Sequence, residues 1–182
     1  MLQLSTKVLK KILVKKVVNQ INFFDSIKNE PKDNKHYDIT NMKDKHIKAY
    51  LKTALIFAEC STAKRLHVGA ICVKNDKIIS IGYNGTPSGW SNICEDENGK
   101  TLPEVCHAES NCLMKLARTG GEALDSIMFC THSPCMECSK LIFSAGIKKV
   151  FYIEEYRSLD GIAFLKQAGI DVIHAKDFLS SD

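Results

Sequence analysis

Apolar and polar positions along this chain recur with two periods, and the switches between them lay out the predicted elements. Residues 42–60 carry Ile47, Tyr50, Leu51, Ala54, Leu55 and Ala58 on one face at helical spacing, which predicts a helix of about five turns. Residues 68–73 and 77–82 are short apolar runs separated by Lys74-Asn75-Asp76, the pattern of a β-hairpin. Residues 82–102 are rich in Gly, Asn, Ser and acidic side chains and read as a long loop, a feature that inside a compact domain usually serves function or lacks fixed structure. Pro103-Glu104 introduces a helix through about Arg118, ended by Gly120-Gly121. A strand over 126–130 follows, then a helix opened by Pro134 and stopped by Gly146, a strand over 149–153, a helix over 159–168 closed by Gly169, and a strand over 170–173. The order α-β-β-α-β-α-β-α-β, with helices between the later strands, predicts parallel pairing after an antiparallel start. The fold class is therefore α/β, a mixed sheet covered by helices on both faces.

The full length of 182 residues suits one well-cored domain and is too short for two; residues 42–182 read as that domain. Residues 1–41 read as an extension. Leu9, Ile12, Leu13, Val17 and Ile21 recur at helical spacing among lysines over 1–27, and 28–41 is a polar linker with a single Pro. A basic amphipathic stretch can mark a membrane surface or a targeting peptide. The lack of Arg argues against targeting, and a solvated or partner-packed extension is the plainer reading. Charge follows the same division. Residues 1–40 hold eight Lys against four acidic residues, and the remaining 142 carry 17 basic and 17 acidic side chains. A neutral body lacks the basic surface that a long polyanion requires, so a small ligand is expected and a nucleic acid is not. No run of 18 apolar residues appears, so no membrane span is expected.

Eight cysteines without a secretory signal point to a reducing compartment, the cytoplasm of the cell or, for a viral protein, of its host. Cys72, Cys112 and Cys130 sit in apolar runs and read as small core residues, whereas Cys94 and Cys106 flank the polar loop and stay open. The chemistry is concentrated in Cys106-His107-Ala108-Glu109 and Ser133-Pro134-Cys135-Met136-Glu137-Cys138. Cys135 and Cys138, at i and i+3, project from one turn and can grip one ion, and a helix N-terminus favours their thiolates. His107 adds a neutral nitrogen from a second helix. Three protein ligands leave a fourth tetrahedral position open, as in catalytic rather than structural zinc. Glu109, two residues on, is a spare carboxylate suited to act as base and then as acid. A C-x-x-C alone could be a redox pair or half of a structural zinc site. The first normally has no H-x-E partner, and the second needs a fourth ligand, for which Cys106 is the nearest candidate.

These motifs form the H-x-E…P-C-x-x-C signature of zinc nucleobase deaminases, and the chain resembles the cytidine/deoxycytidylate deaminase superfamily, within it the deoxycytidylate (dCMP) deaminases. The resemblance spans about residues 45–175 and is carried by Val68-Gly69-Ala70, Gly82-Tyr83-Asn84-Gly85-Thr86-Pro87-Ser88-Gly89, the two motifs above and Ala145-Gly146-Ile147-Lys148-Lys149-Val150. It implies a three-layer α/β/α cytidine-deaminase-like fold on a mixed five-stranded sheet. It also implies zinc on His107, Cys135 and Cys138, Glu109 as proton shuttle, and hydrolysis of dCMP to dUMP and ammonia in pyrimidine nucleotide metabolism. Asn84 and Ser133 are implied at the substrate. The pair Tyr156-Arg157 is implied near its phosphate, where a guanidinium can bond oxygens bidentately. Homohexamers controlled by dCTP with Mg2+ and by dTTP are common among such enzymes; the resemblance implies an effector site with Arg65, Gly82, Tyr83, Asn84, Gly85 and Gly89. Some relatives carry a second, structural zinc on positions that here are Ala63, Leu102 and Thr101. With only Cys94 left of that set, no second zinc is expected.

The alternatives are a tRNA-adenosine deaminase, a deaminase acting on dCTP or on both nucleotides, and an inactive regulatory homologue. The first is expected to bring a basic surface and a shorter segment between Asn84 and His107. The last would lack Glu109 or a ligand.

Overall fold

A computed structural model describes residues 42–180; the proposed extension over 1–41 lies outside them. The chain order is α1 (Asp44–Ala58), β1 (Gly69–Lys74), β2 (Lys77–Tyr83), α2 (Ala108–Arg118), β3 (Ile127–His132), α3 (Met136–Ser144), β4 (Lys149–Glu154), α4 (Asp160–Gln167), β5 (Asp171–His174) and α5 (Asp177–Ser180). The five strands form one sheet in the order β2-β1-β3-β4-β5. The β1–β2 hairpin turns at Asn75 and Asp76, both with positive φ (51° and 62°), the backbone that a two-residue turn needs to match strand twist.

Strand β3 pairs antiparallel with β1 and parallel with β4, and β4 pairs parallel with β5. The mixed sheet is thus as expected, but parallel pairing begins one strand later than the alternation of elements predicts, because the β2–α2–β3 connection passes over β1. Inward side chains on one face of the sheet (Ala70, Cys72, Met128, Cys130, Val150) pack with α2, α3 and α4 through Cys112, Leu116, Ile142 and Leu165. On the other face Ile71, Val73, Phe129, Phe151 and Ile153 pack with Ile47, Leu51 and Ala54 of α1 and, beyond β5, with Ala175. Cys72, Cys112 and Cys130 are buried core thiols, as their apolar surroundings predict. One helix starts well after the expected residue. Helix α2 begins at Ala108, not at Pro103, because Cys106 is still extended and bridged to Gly85 (N···O 2.9 and 3.1 Å).

Two glycines let the helices approach closely. A Cβ on Gly82 would overlap Ala108 O and Cys112 N at the start of α2, and one on Gly161 would overlap Pro134 O and Ser139 Oγ at the start of α3. The absent side chains therefore seat both helix N-termini. Gly82→Ala and Gly161→Ala are each expected to lower stability by about 1–3 kcal/mol in denaturant unfolding. Gly85→Ala, whose Cβ would meet nothing within 4 Å, is the matched control and should change it little.

Candidate metal centre

Helices α2 and α3 begin beside each other at the end of the sheet where β3 and β4 finish. Cys135 caps α3 in extended backbone, as His107 caps α2. His107 Nδ1 lies 3.4 Å from Cys135 Sγ and 3.5 Å from Cys138 Sγ, and the donor atoms of all three residues lie within 4.8 Å of one another. Tetrahedral zinc with ordinary Zn–N and Zn–S lengths holds nitrogen and sulfur ligands about 3.6 Å apart. The donor set and its spacing therefore fit one zinc ion. Among the described residues this is the one such cluster of His, Cys, Asp or Glu. Cys106 lies outside it, bridged to Gly85, and Cys94 is buried with its sulfur 3.4 Å from Thr62 Oγ1.

The electrostatics of the three donors are interlocked. The neighbouring Cys138 thiol and His107 push Cys135 down to about 3. Cys138, facing that thiolate and buried, is pushed far up. The Cys135 contact also raises His107, against the opposing effect of its partial burial. Without a cation the contacts therefore favour a thiolate at Cys135 and protonation of its two neighbours. Glu109, 4% exposed, stands behind His107 on the first turn of α2, and burial raises its carboxyl above the ordinary range.

A cavity of about 340 Å³ opens on the cluster and is walled by His107, Glu109, Cys135, Asn84, Tyr156 and Arg157 among others. Of the sequence-assigned substrate residues, Asn84 spends both ends of its amide on the backbone: Val68 N–H donates to Oδ1 (2.8 Å) and Nδ2 donates to Leu66 O (2.8 Å). Ser133 is buried and its Oγ accepts the Tyr156 N–H (2.8 Å), tying the end of β3 to the segment after β4. Arg157 Nη2 donates to Tyr156 Oη (2.6 Å), with the guanidinium over that ring at 5.1 Å.

The residues assigned to an effector site have different surroundings. Arg65 and Asn84 wall the cavity that contains Glu109. Gly82 is buried against α2, Tyr83 takes Lys115 Nζ over its ring at 4.8 Å, and Gly89 is exposed with φ 89°. Sequence reasoning missed Glu95, Thr101 and His132, which also wall the cavity. The first two sit in the long polar loop, where no motif marks them. His132 precedes the Ser133-Pro134-Cys135 run and could have been found from that adjacency.

A model of the cytidine and deoxycytidylate deaminase zinc-binding region matches residues 44–154. The chain is 34% identical over 128 residues to ComE operon protein 2 of Bacillus subtilis, covering 68% of this chain and 67% of that one. It is 35% identical over 114 residues to the human deoxycytidylate deaminase, covering 58% of this chain and 63%, under two thirds, of the human one. Its fold is similar to the crystal structure of dCMP deaminase from the cyanophage S-TIM5 in complex with dCMP and dUMP, with a TM-score of 0.72 and 51% identity, covering 74% of this chain and 99% of the phage chain.

Because Cys138 keeps its proton beside the Cys135 thiolate and His107 is raised, zinc uptake must displace protons. Titrating zinc into metal-free protein at pH 7 in weakly buffered indicator is expected to release roughly one to two protons per ion; uptake without proton release would contradict the donor arrangement.

Proposed function

The chain belongs to the cytidine and deoxycytidylate deaminase family, and from that membership we propose that it hydrolyses dCMP to dUMP and ammonia. One observation carries this reading: a single cavity joins the His107–Cys135–Cys138 cluster, the buried carboxyl of Glu109 and the guanidinium of Arg157. Groups suited to the reaction and a guanidinium suited to an anion thus line one space. The similarity to the S-TIM5 enzyme, crystallised with dCMP and dUMP, supports the same substrate class.

In this mechanism His107, Cys135 and Cys138 hold one zinc ion. Bound zinc supplies the Lewis acidity that lets water ionise near neutral pH. Glu109 moves the protons. Its carboxylate takes one from the attacking water and delivers it to the ring nitrogen next to the amine-bearing carbon. The carboxylate then takes the second proton from the hydroxyl that attack has placed on that carbon and passes it to the departing amine, which leaves as ammonia while the carbonyl forms. A carboxyl raised by burial suits both halves, because it holds a proton closer to working pH than an exposed glutamate does. Tyr156 and Arg157, fixed to each other and to the Ser133 hydroxyl, present a preorganised guanidinium to the 5′-phosphate. Asn84 holds the backbone of Leu66 and Val68, which also line the cavity.

The proposal extends to control by dCTP with Mg2+ and by dTTP, in a homohexamer of the cytoplasm. The Gly82–Gly89 run supports the effector part only at Gly85 and Gly89, where space stands open beside the backbone. No helix among the described residues is long and apolar enough to cross a membrane.

Ammonia release from dCMP, dCTP, deoxycytidine and cytidine, each with and without dCTP-magnesium or dTTP, tests substrate and control together. dCMP should be turned over fastest, and deoxycytidine being preferred would overturn the assignment. Glu109→Gln should retain zinc and fold while lowering kcat by at least about 10³-fold, within the range a shuttling group contributes. Arg157→Ala should lower kcat/KM for dCMP by about tenfold or more, as loss of a charge-assisted pair does, and leave deoxycytidine nearly unchanged. Equal losses on both would remove the phosphate role.

A further inference from the structure

The loop between β2 and α2 folds back on itself. Glu95 and Thr101 form an antiparallel bridge, Leu102 N–H donates to Cys94 O at 2.9 Å, and Asp96 N–H donates to Lys100 O at 2.9 Å. This brings two side chains against the segment that precedes β1. The Glu95 carboxylate is buried, at 8% exposure. It accepts the Lys64 N–H on both oxygens (3.0 and 3.1 Å) and the Arg65 N–H on Oε1 (3.2 Å). Thr101 Oγ1 accepts from Arg65 Nη1 at 3.0 Å. Backbone and guanidinium of Arg65 are thus held at separate points by the two bridged residues, and all three wall the cavity.

The held guanidinium is not neutralised. Among the described residues Arg65 makes no ion pair, and neither do Glu95 and Arg157. Burying a carboxylate is costly unless its oxygens are satisfied. Here they are satisfied by peptide N–H groups, so the negative charge anchors the backbone and leaves the Arg65 cation free for a ligand. Arg157 enters the same cavity from the segment after β4, on a different part of the chain.

We infer that Glu95, with Thr101, is a positioning residue that fixes Arg65 as a second cationic contact, besides Arg157, for the substrate's phosphate. The inference rests on the proposed dCMP reading, because it gives the phosphate of that substrate a second partner. It also gives the long polar loop a task in substrate affinity rather than in the proton transfers, since Glu95 touches neither Glu109 nor the donor cluster in the hydrogen-bond network.

The test is steady-state kinetics of the full chain, at matched zinc content, for Glu95→Ala, Glu95→Gln, Thr101→Val, Arg65→Ala and the Glu95→Ala/Arg65→Ala pair. Glu95→Ala and Arg65→Ala should each raise KM for dCMP about tenfold while kcat stays within about twofold, the size expected for one charge-assisted contact. Their combination should cost little more than either alone, since both remove one interaction. Glu95→Gln keeps an oxygen acceptor at the same site and should recover most of the KM. Thr101→Val, which removes only the guanidinium bond, should raise KM by a smaller factor and keeps the question answerable if Glu95→Ala does not fold. A fall in kcat with KM unchanged, or losses that add fully in the double variant, would overturn the positioning role while leaving the dCMP reading intact. A wild-type chain that does not turn over dCMP would overturn both.

Discussion

Two thiols and an imidazole gathered within 4.8 Å cannot all take their metal-binding protonation states without a cation to balance them. That constraint organises the end of the sheet. One thiolate is stabilised by its neighbours, and its charge in turn favours protonation of Cys138 and His107. A dication would displace such protons and convert mutual hindrance into shared coordination, so that binding energy would help hold α2 and α3 together. The fold itself brings the two helix starts close. It does so sterically, through Gly82 beneath α2 and Gly161 beside α3, where backbone packs on backbone with no side chain between.

Around that centre, polar side chains do for the loops what glycines do for the helices. Ser133 links the end of β3 to Tyr156, Asn84 braces residues 66–68, and Glu95 pins residues 64–65. Each uses a buried or half-buried side chain to satisfy backbone N–H or C=O groups that strand pairing has left behind. The cavity therefore has walls of irregular backbone with fixed positions. It lies beyond the carboxyl ends of the parallel strands β3 and β4, where open α/β sheets present their binding crevices. Rigid walls would suit the proposed proton shuttle, in which Glu109 meets different atoms of one substrate without moving far.

Much of this was legible in the sequence because it depends on short-range rules. The Asn75-Asp76 turn, the left-handed glycines Gly120, Gly146 and Gly169 closing α2, α3 and α4, and the apolar stripe Ile47-Leu51-Ala54 of α1 all announce themselves within a few residues. The three donors were legible too, since i and i+3 cysteines on a helix start and an H-x-E on another admit few arrangements. What stayed hidden depends on distant partners. Helix α2 starts late because Cys106 pairs with Gly85, 21 positions back, a contact no local pattern encodes. The antiparallel β1–β3 pairing follows from a connection that skips a strand. Glu95 looked like one more acid in a polar loop, and only its burial against Lys64 and Arg65 distinguishes it. Arg65 and Asn84 line the cavity that holds Glu109, a placement that resemblance along the chain does not specify.

Charge makes the same point on a larger scale. The neutral balance of the domain argues against a long polyanionic ligand, yet it says nothing of where individual charges stand. Arg65 and Arg157 sit at one cavity without carboxylate partners, and the acid nearest to Arg65 in the network, Glu95, is occupied with peptide N–H groups. A domain with no net charge can therefore still hold two guanidinium groups without ion pairs at one cavity, although Glu95, Glu109 and Glu155 line it too. Two such cations match the charge of a single phosphate group, whereas a nucleic acid backbone would require such pairs to continue along a surface. The size of the ligand is thus read from how few unpaired cations the site offers and from how closely they are held.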